Sequence, residues 1–198
     1  LPPRGQGTAG PARAVGPGPQ GACRDAVLRR RGLSRVRRHG VSRAHGDLLL
    51  FTDADCLPGK SWLKGMVEHF DEETGLVAGF SPQIAAKKML SRLLTLDAGA
   101  AAFVAAATMS AGRGITCSGR NLAYRKEAFM AAGGFAAVPD SLSGDDDFVL
   151  QAISRHGKWK TRYALASSTA VPSIGPENVR AFLRQKGRHL SAGKYFPR

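Results

Sequence analysis

Residues Gly46 to Cys56 read Gly-Asp-Leu-Leu-Leu-Phe-Thr-Asp-Ala-Asp-Cys, an unbroken apolar run that ends in two carboxylates one residue apart. A run of roughly four to six apolar residues, bounded by a glycine and an acidic turn, suits an interior strand of a parallel sheet, covered on both faces. Pro58-Gly59 then breaks the chain, and Ser61 is placed to cap a helix that starts at Trp62. Helical spacing predicts that Trp62, Leu63, Met66, Val67 and Phe70 are buried, with Gly75 following the helix end. Leu76-Val77-Ala78-Gly79-Phe80 reads as a second buried strand. Strand, acidic turn, helix, strand is a βαβ unit, so the expected fold class is α/β with a mainly parallel sheet.

Farther along, residues 84–111 carry a helical pattern that becomes alanine-rich after Ala98. Ile115 to Tyr124 reads as a strand interrupted by Gly119, an interruption that suits close approach of a ligand to backbone. A short helix from Lys126 ends at Gly133-Gly134-Phe135, and Asp145-Asp146-Asp147 opens another helix through Ile153. Lys158 to Val171 is strand-like, and Asn178 to Tyr195 is a basic helix and tail.

Charge divides the chain in two. Residues 1–46 hold ten arginines against one aspartate, +9 of the total +14, together with five of the eleven prolines and no lysine. The expected organisation is a basic Arg/Gly/Pro-rich segment over residues 1–45, disordered or non-native, and a folded domain over 46–198. Segment 1–22 has no apolar period with which to offset chain entropy. Residues 24–43 could form a basic amphipathic helix, which leaves binding of nucleic acid or anionic lipid as the competing function. Cys23, Cys56 and Cys117 form neither a disulfide framework nor a zinc pattern, which favours a reducing compartment. The longest uncharged stretch, Ala98 to Ala111, falls short of the ~20 apolar residues that span a bilayer, so no transmembrane helix is expected.

The carboxylates carry the chemistry. In the turn after a strand, Asp53 and Asp55 can converge on one hard cation, and Mg2+ or Mn2+ held this way takes its other ligands from water and phosphates. A departing diphosphate needs such neutralisation. Three consecutive aspartates at a helix start favour the helix dipole but repel one another. One of them, its pKa raised by its neighbours, is suited to take a proton from an attacking hydroxyl. Capping by Asp145 or Ser143 is the simpler alternative.

Thr52-Asp53-Ala54-Asp55 with Pro58, Gly119-Arg120-Asn121, Gly133-Gly134-Phe135, Gly144-Asp145-Asp146-Asp147 and Gln185-Lys186-Gly187-Arg188-His189 together resemble the family 2 glycosyltransferases. The resemblance covers residues 46–198. It implies a partial GT-A, Rossmann-like fold and a membrane-associated, inverting hexosyltransferase, truncated at both ends. The enzyme would transfer a sugar from a nucleotide-sugar to a lipid-linked or polysaccharide acceptor on the cytoplasmic face of a membrane, with Mg2+ or Mn2+ as cofactor; nucleic acid is not its expected partner. By the same resemblance Asp146 is the general base, Asp53 faces the nucleotide-sugar, and Asp55 is the metal ligand. Gly119, Arg120 and Asn121 shape the donor pocket, while Asp145, Gln185 and Arg188 contact acceptor or diphosphate. His189 stands where the family has Trp, and the opening strands that hold the nucleotide base have no counterpart in residues 1–46.

Overall fold

Leu48–Phe51 forms strand β1, but among the described residues it lies at one edge of a four-stranded sheet, paired with an antiparallel neighbour, rather than in the interior of a parallel sheet. The computed structural model describes residues 39–85, 88–134 and 144–192. Most of the arginine-rich segment, Phe135 and Ser143 therefore lie outside the described residues. After β1 come helix α1 (Trp62–Val67), β2 (Thr74–Gly79) and β3 (Gln83–Ile84). Helix α2 (Lys88–Ser110), β4 (Leu122–Arg125), helix α3 (Lys126–Ala131) and helix α4 (Asp145–His156) follow. The chain continues through β5 (Lys160–Ala164), a 3-10 turn at Ser167–Thr169, β6 (Ser173–Ile174) and helix α5 (Val179–Ala192).

The sheet order is β1-β4-β2-β5, and β3 pairs with β6 in a separate two-stranded ladder. β1, β2 and β5 all run the same way, which makes the sheet mainly parallel in strand direction. β4 runs against them, pairing Phe51 with Leu122 on one side and Ala78 with Leu122 on the other. The strand-helix-strand unit is therefore present, but its two strands are separated by β4.

Side chains alternate across the strands, and both faces of the sheet are buried. Leu49, Leu76, Ala78, Leu122 and Tyr124 face one way, against Ala128 and Phe129 of α3 and Val149, Leu150 and Ile153 of α4. Phe51, Tyr124 and Phe129 stack in sequence, with ring centroids 4.7 and 4.9 Å apart. Leu50, Val77 and Ala123 face the other way, against Trp62 and Met66 of α1. α1 is only six residues long, so it offers the sheet a narrow face, and Leu63 and Val67, expected inside, are exposed. Ser61 precedes α1 without making a side-chain cap hydrogen bond.

Residues 39–43 are helical, and Val41 is buried in the larger core cluster. These residues pack with the domain rather than with the basic segment to which composition assigns them. α2 also departs from expectation. Met89–Ser110 is apolar and long enough, by length and composition, to cross a membrane, with a mean hydropathy of 1.5. The uncharged stretch from Ala98 understates this helix, because its apolar character continues through Arg92 and Asp97. Leu90 and Leu94 of α2 pack on Phe182 of α5.

Candidate active site

The carboxyl ends of β1 and β2 and the entry to β4 meet at one edge of the sheet, because β4 is reversed. Beside this edge lies a cavity of about 540 Å³. The acidic turn after β1 forms part of its wall with Asp53 and Asp55, both exposed. Two backbone hydrogen bonds pin that turn to the β6 strand: Leu57 N–H donates to Pro172 O over 2.8 Å, and Ile174 N–H donates to Asp55 O over 3.1 Å. Cys56, between them, has its thiol pKa pushed up by burial, with the neighbouring aspartates adding to the effect.

The loop before β4 supplies the next wall through Ser118, Gly119 and Arg120. Arg120 Nη1 donates to Ser173 Oγ at 2.9 Å and its Nε to Ser118 Oγ at 3.2 Å, so the guanidinium ties this loop to β6. Asn121 does not reach the cavity. It is fully buried, and its amide donates to Phe80 O at 2.9 Å and Thr169 O at 2.8 Å while accepting the Trp62 indole N–H at 2.9 Å. Its signal in the sequence belongs to the frame behind the site, and it is corrected from a donor-pocket residue to a core one.

The acidic helix start closes the opposite side. Gly144 precedes α4 with φ 93, a left-handed conformation that side chains rarely adopt, and no side chain caps the helix there. Asp145 stands at the first residue of the helix rather than at its N-cap. Asp145, Asp146 and Asp147 all line the cavity. The Asp146 carboxylate sits directly against Gly119, where any Cβ would overlap it. A side chain at 119 would force the Asp146 carboxylate to move. Asp147 has its pKa raised, by burial above all, although it accepts the Cys117 N–H at 2.8 Å and is also hydrogen-bonded by the Thr116 side chain.

α5 brings Gln185 and Lys186 to the cavity. Lys186 Nζ lies 2.7 Å from Asp97 Oδ2 of α2, an ion pair across the wall that motif reading passed over. The only hint was Lys186 within the Gln185–Arg188 motif; Asp97 had none. Arg188 belongs to α5, but its side chain lies outside the described ones. Tyr163 of β5 also lines the cavity, its hydroxyl pKa pushed up to about 12 by burial.

Asp53, Asp55, Gly119, Arg120, Asp145, Asp146 and Gln185 are thus gathered from four separate parts of the sequence. Residues 38–190 match the family model described as Glycosyl transferase family 21. The chain belongs to glycosyl transferase family 21. The motifs in the sequence resemble family 2, so the match keeps the glycosyl transfer and names a different family. No curated protein matches the chain. Membership of family 21 makes the chain a transferase, with a nucleotide-sugar donor and a glycan or lipid acceptor.

Among the described residues, no three His, Cys, Asp or Glu side chains come together to hold a metal ion. Asp53 and Asp55 nevertheless offer hard oxygen donors of the kind that share Mg2+ or Mn2+ with phosphate and water.

Proposed function

We propose that this family 21 chain is an inverting hexosyltransferase with a GT-A-type active site. It moves a sugar from a nucleotide-sugar to a hydroxyl of a lipid-linked or polysaccharide acceptor, at the cytoplasmic face of a membrane. The observation that carries this reading is the position of Asp146, whose carboxylate is seated on Gly119 across the cavity that Asp53 and Asp55 also line.

In this mechanism Asp146 takes the proton of the acceptor hydroxyl. The freed oxygen bonds to the anomeric carbon from the side opposite the diphosphate. As that bond forms, the bond from the anomeric carbon to the diphosphate oxygen breaks, and its electron pair leaves with the nucleoside diphosphate. Asp55, with Asp53 beside it, would hold the Mg2+ or Mn2+ that neutralises the departing diphosphate. Arg120, Gln185 and Arg188 are suited to hydrogen-bond the diphosphate or acceptor, and Asp145 to orient the acceptor.

The test is release of nucleoside diphosphate from a panel of nucleotide-sugars with Mn2+ and mixed lipid or glycan acceptors. Asp146→Asn is expected to abolish release while retaining donor binding. Normal turnover by Asp146→Asn would remove the base assignment, and no release from any donor by the unmodified chain would remove the transfer reading.

A further inference from the structure

The two long helices beside the cavity present apolar side chains outward. On α2, Met89 is 79% exposed, Leu96 73% and Phe103 75%, and Leu93 and Val104 are also exposed. At 100° per residue these five fall within an arc of about 100°, and with a rise of 1.5 Å per residue they run for about 22 Å. Ala100 and Ala107 complete the stripe, and no charged residue falls inside it. Only 17% of the apolar window is buried. α5, packed on α2 through Phe182, exposes Val179 and Leu183 in the same way.

An apolar stripe this long on a water-facing surface marks a binding surface. Charge decides what binds there. Arg92, Arg180 and Arg184 are exposed, and the two helices carry four arginines and two lysines in sequence against one acidic residue. That residue, Asp97, is paired with Lys186. A second copy of the chain docked face to face would set these positive charges against their own kind. An anionic bilayer surface satisfies both features, because an interfacial helix sinks its apolar face about 5–10 Å into the headgroup boundary while its basic residues meet anionic lipids.

We propose that α2 and α5 form a docking face on which the domain lies against an anionic lipid surface, with the Met89–Val104 stripe inserted in the bilayer interface. The far side of α2, at Ala98, Ala101 and Ala105, lines the cavity, with Asp97 at the border between the two faces. Docking therefore sets the cavity wall about one helix diameter, ~10 Å, from the headgroups. This inference stands on the surface and not on the transfer chemistry, so either can fail alone.

Vesicles of phosphatidylglycerol and phosphatidylcholine, with bromine atoms in the lipid chains, test it on the full chain. Phe103→Trp is expected to give a tryptophan quenched by the bromines on anionic vesicles. Leu96→Glu with Phe103→Glu is expected to lower vesicle partitioning by about ten-fold or more, with the thermal unfolding midpoint unchanged. The arginines of residues 1–37 attach to the same vesicles by charge alone, but they cannot quench a tryptophan at 103. Attachment without quenching, or partitioning unaffected by the double substitution, overturns the proposal. A dimer that the double substitution dissociates, with no quenching on vesicles, overturns it as well and gives the face to a second copy.

Discussion

Trp62 donates its indole N–H to Asn121 Oδ1 over 2.9 Å, joining α1 to the residue that precedes β4, although the two stand 59 positions apart. Both are buried, so removing the donor leaves an unsatisfied carbonyl inside the protein. Trp62→Phe is expected to lower unfolding free energy by about 1–3 kcal/mol from that loss. Asn121→Ala should cost more, because it also takes the amide donor from the Thr169 carbonyl and one of two donors from Phe80 O, which keeps the Val171 N–H. Urea titration of both variants checks the order; an Asn121→Ala variant as stable as the unmodified chain contradicts it.

Gly119→Ala places a methyl group where the Asp146 carboxylate lies. Displacing a catalytic group by about 1 Å can cost on the order of 100-fold in rate, so kcat should fall by that order while donor affinity stays within a few-fold. Turnover and donor binding measured on one preparation separate the two. An equal loss in both would mean that the methyl group closes the donor site rather than moving the carboxylate.

Asp147 supplies a pH prediction. Its folded pKa is raised above the ordinary 3.8, with burial the leading cause. A carboxyl shifted in this direction holds its proton more tightly when folded, so its contribution to stability is present at low pH and is lost as pH rises through the folded value. Asp147→Asn keeps an acceptor for the Cys117 N–H and carries no charge. Relative to the unmodified chain it should gain stability as pH rises from about 4 toward 7, and the gain should vanish near pH 3. Parallel stability curves across that range would show that charge burial at 147 has no energetic weight.

Lys186 and Asp97 are each about one-third exposed, at 37% and 31%. A pair of this kind contributes about 1 kcal/mol or less. Lys186→Ala and Asp97→Ala should each destabilise slightly. Their double-mutant cycle should give a favourable coupling that shrinks in high salt. Zero coupling at low salt would mean that the 2.7 Å approach does not join α2 to α5 in solution.

Asp55→Asn is expected to raise the Mn2+ concentration needed for half-maximal diphosphate release by about ten-fold or more, because a hard cation loses a charged ligand. A metal titration of turnover checks this. An unchanged midpoint would take Asp55 out of cation binding.

What the sequence disclosed, it disclosed where causes are local. The run into Asp53 and Asp55 forms β1 because its apolar residues are contiguous, and the triple aspartate opens α4 because its neighbours carry a helical pattern. The insertion of β4 between β1 and β2 was not legible, since strand order depends on pairings across long stretches of chain. Asn121 misled because a buried amide that fastens three segments and a donor-binding amide leave the same mark in one sequence. Lys186 and Asp97 escaped because 89 positions separate them and nothing in either helix announces the other. The family number could not be read either, since the carboxylate motifs express shared transfer chemistry.

The reversed direction of β4 makes the site's tolerance of insertions lopsided. An extra residue between Pro58 and Ser61 falls in an exposed stretch past the Leu57 anchor, where the chain can bow outward. An extra residue between Gly119 and Leu122 has no such outlet, because Gly79 N–H is bonded to Asn121 O at 2.9 Å and β4 is held in register on both sides. A slip of one position there shifts the loop by about 3.3 Å and turns alternate side chains to the wrong face. Asn121 would be drawn out of its socket and Gly119 from beneath Asp146, so length variation among relatives should be frequent in the first segment and rare in the second.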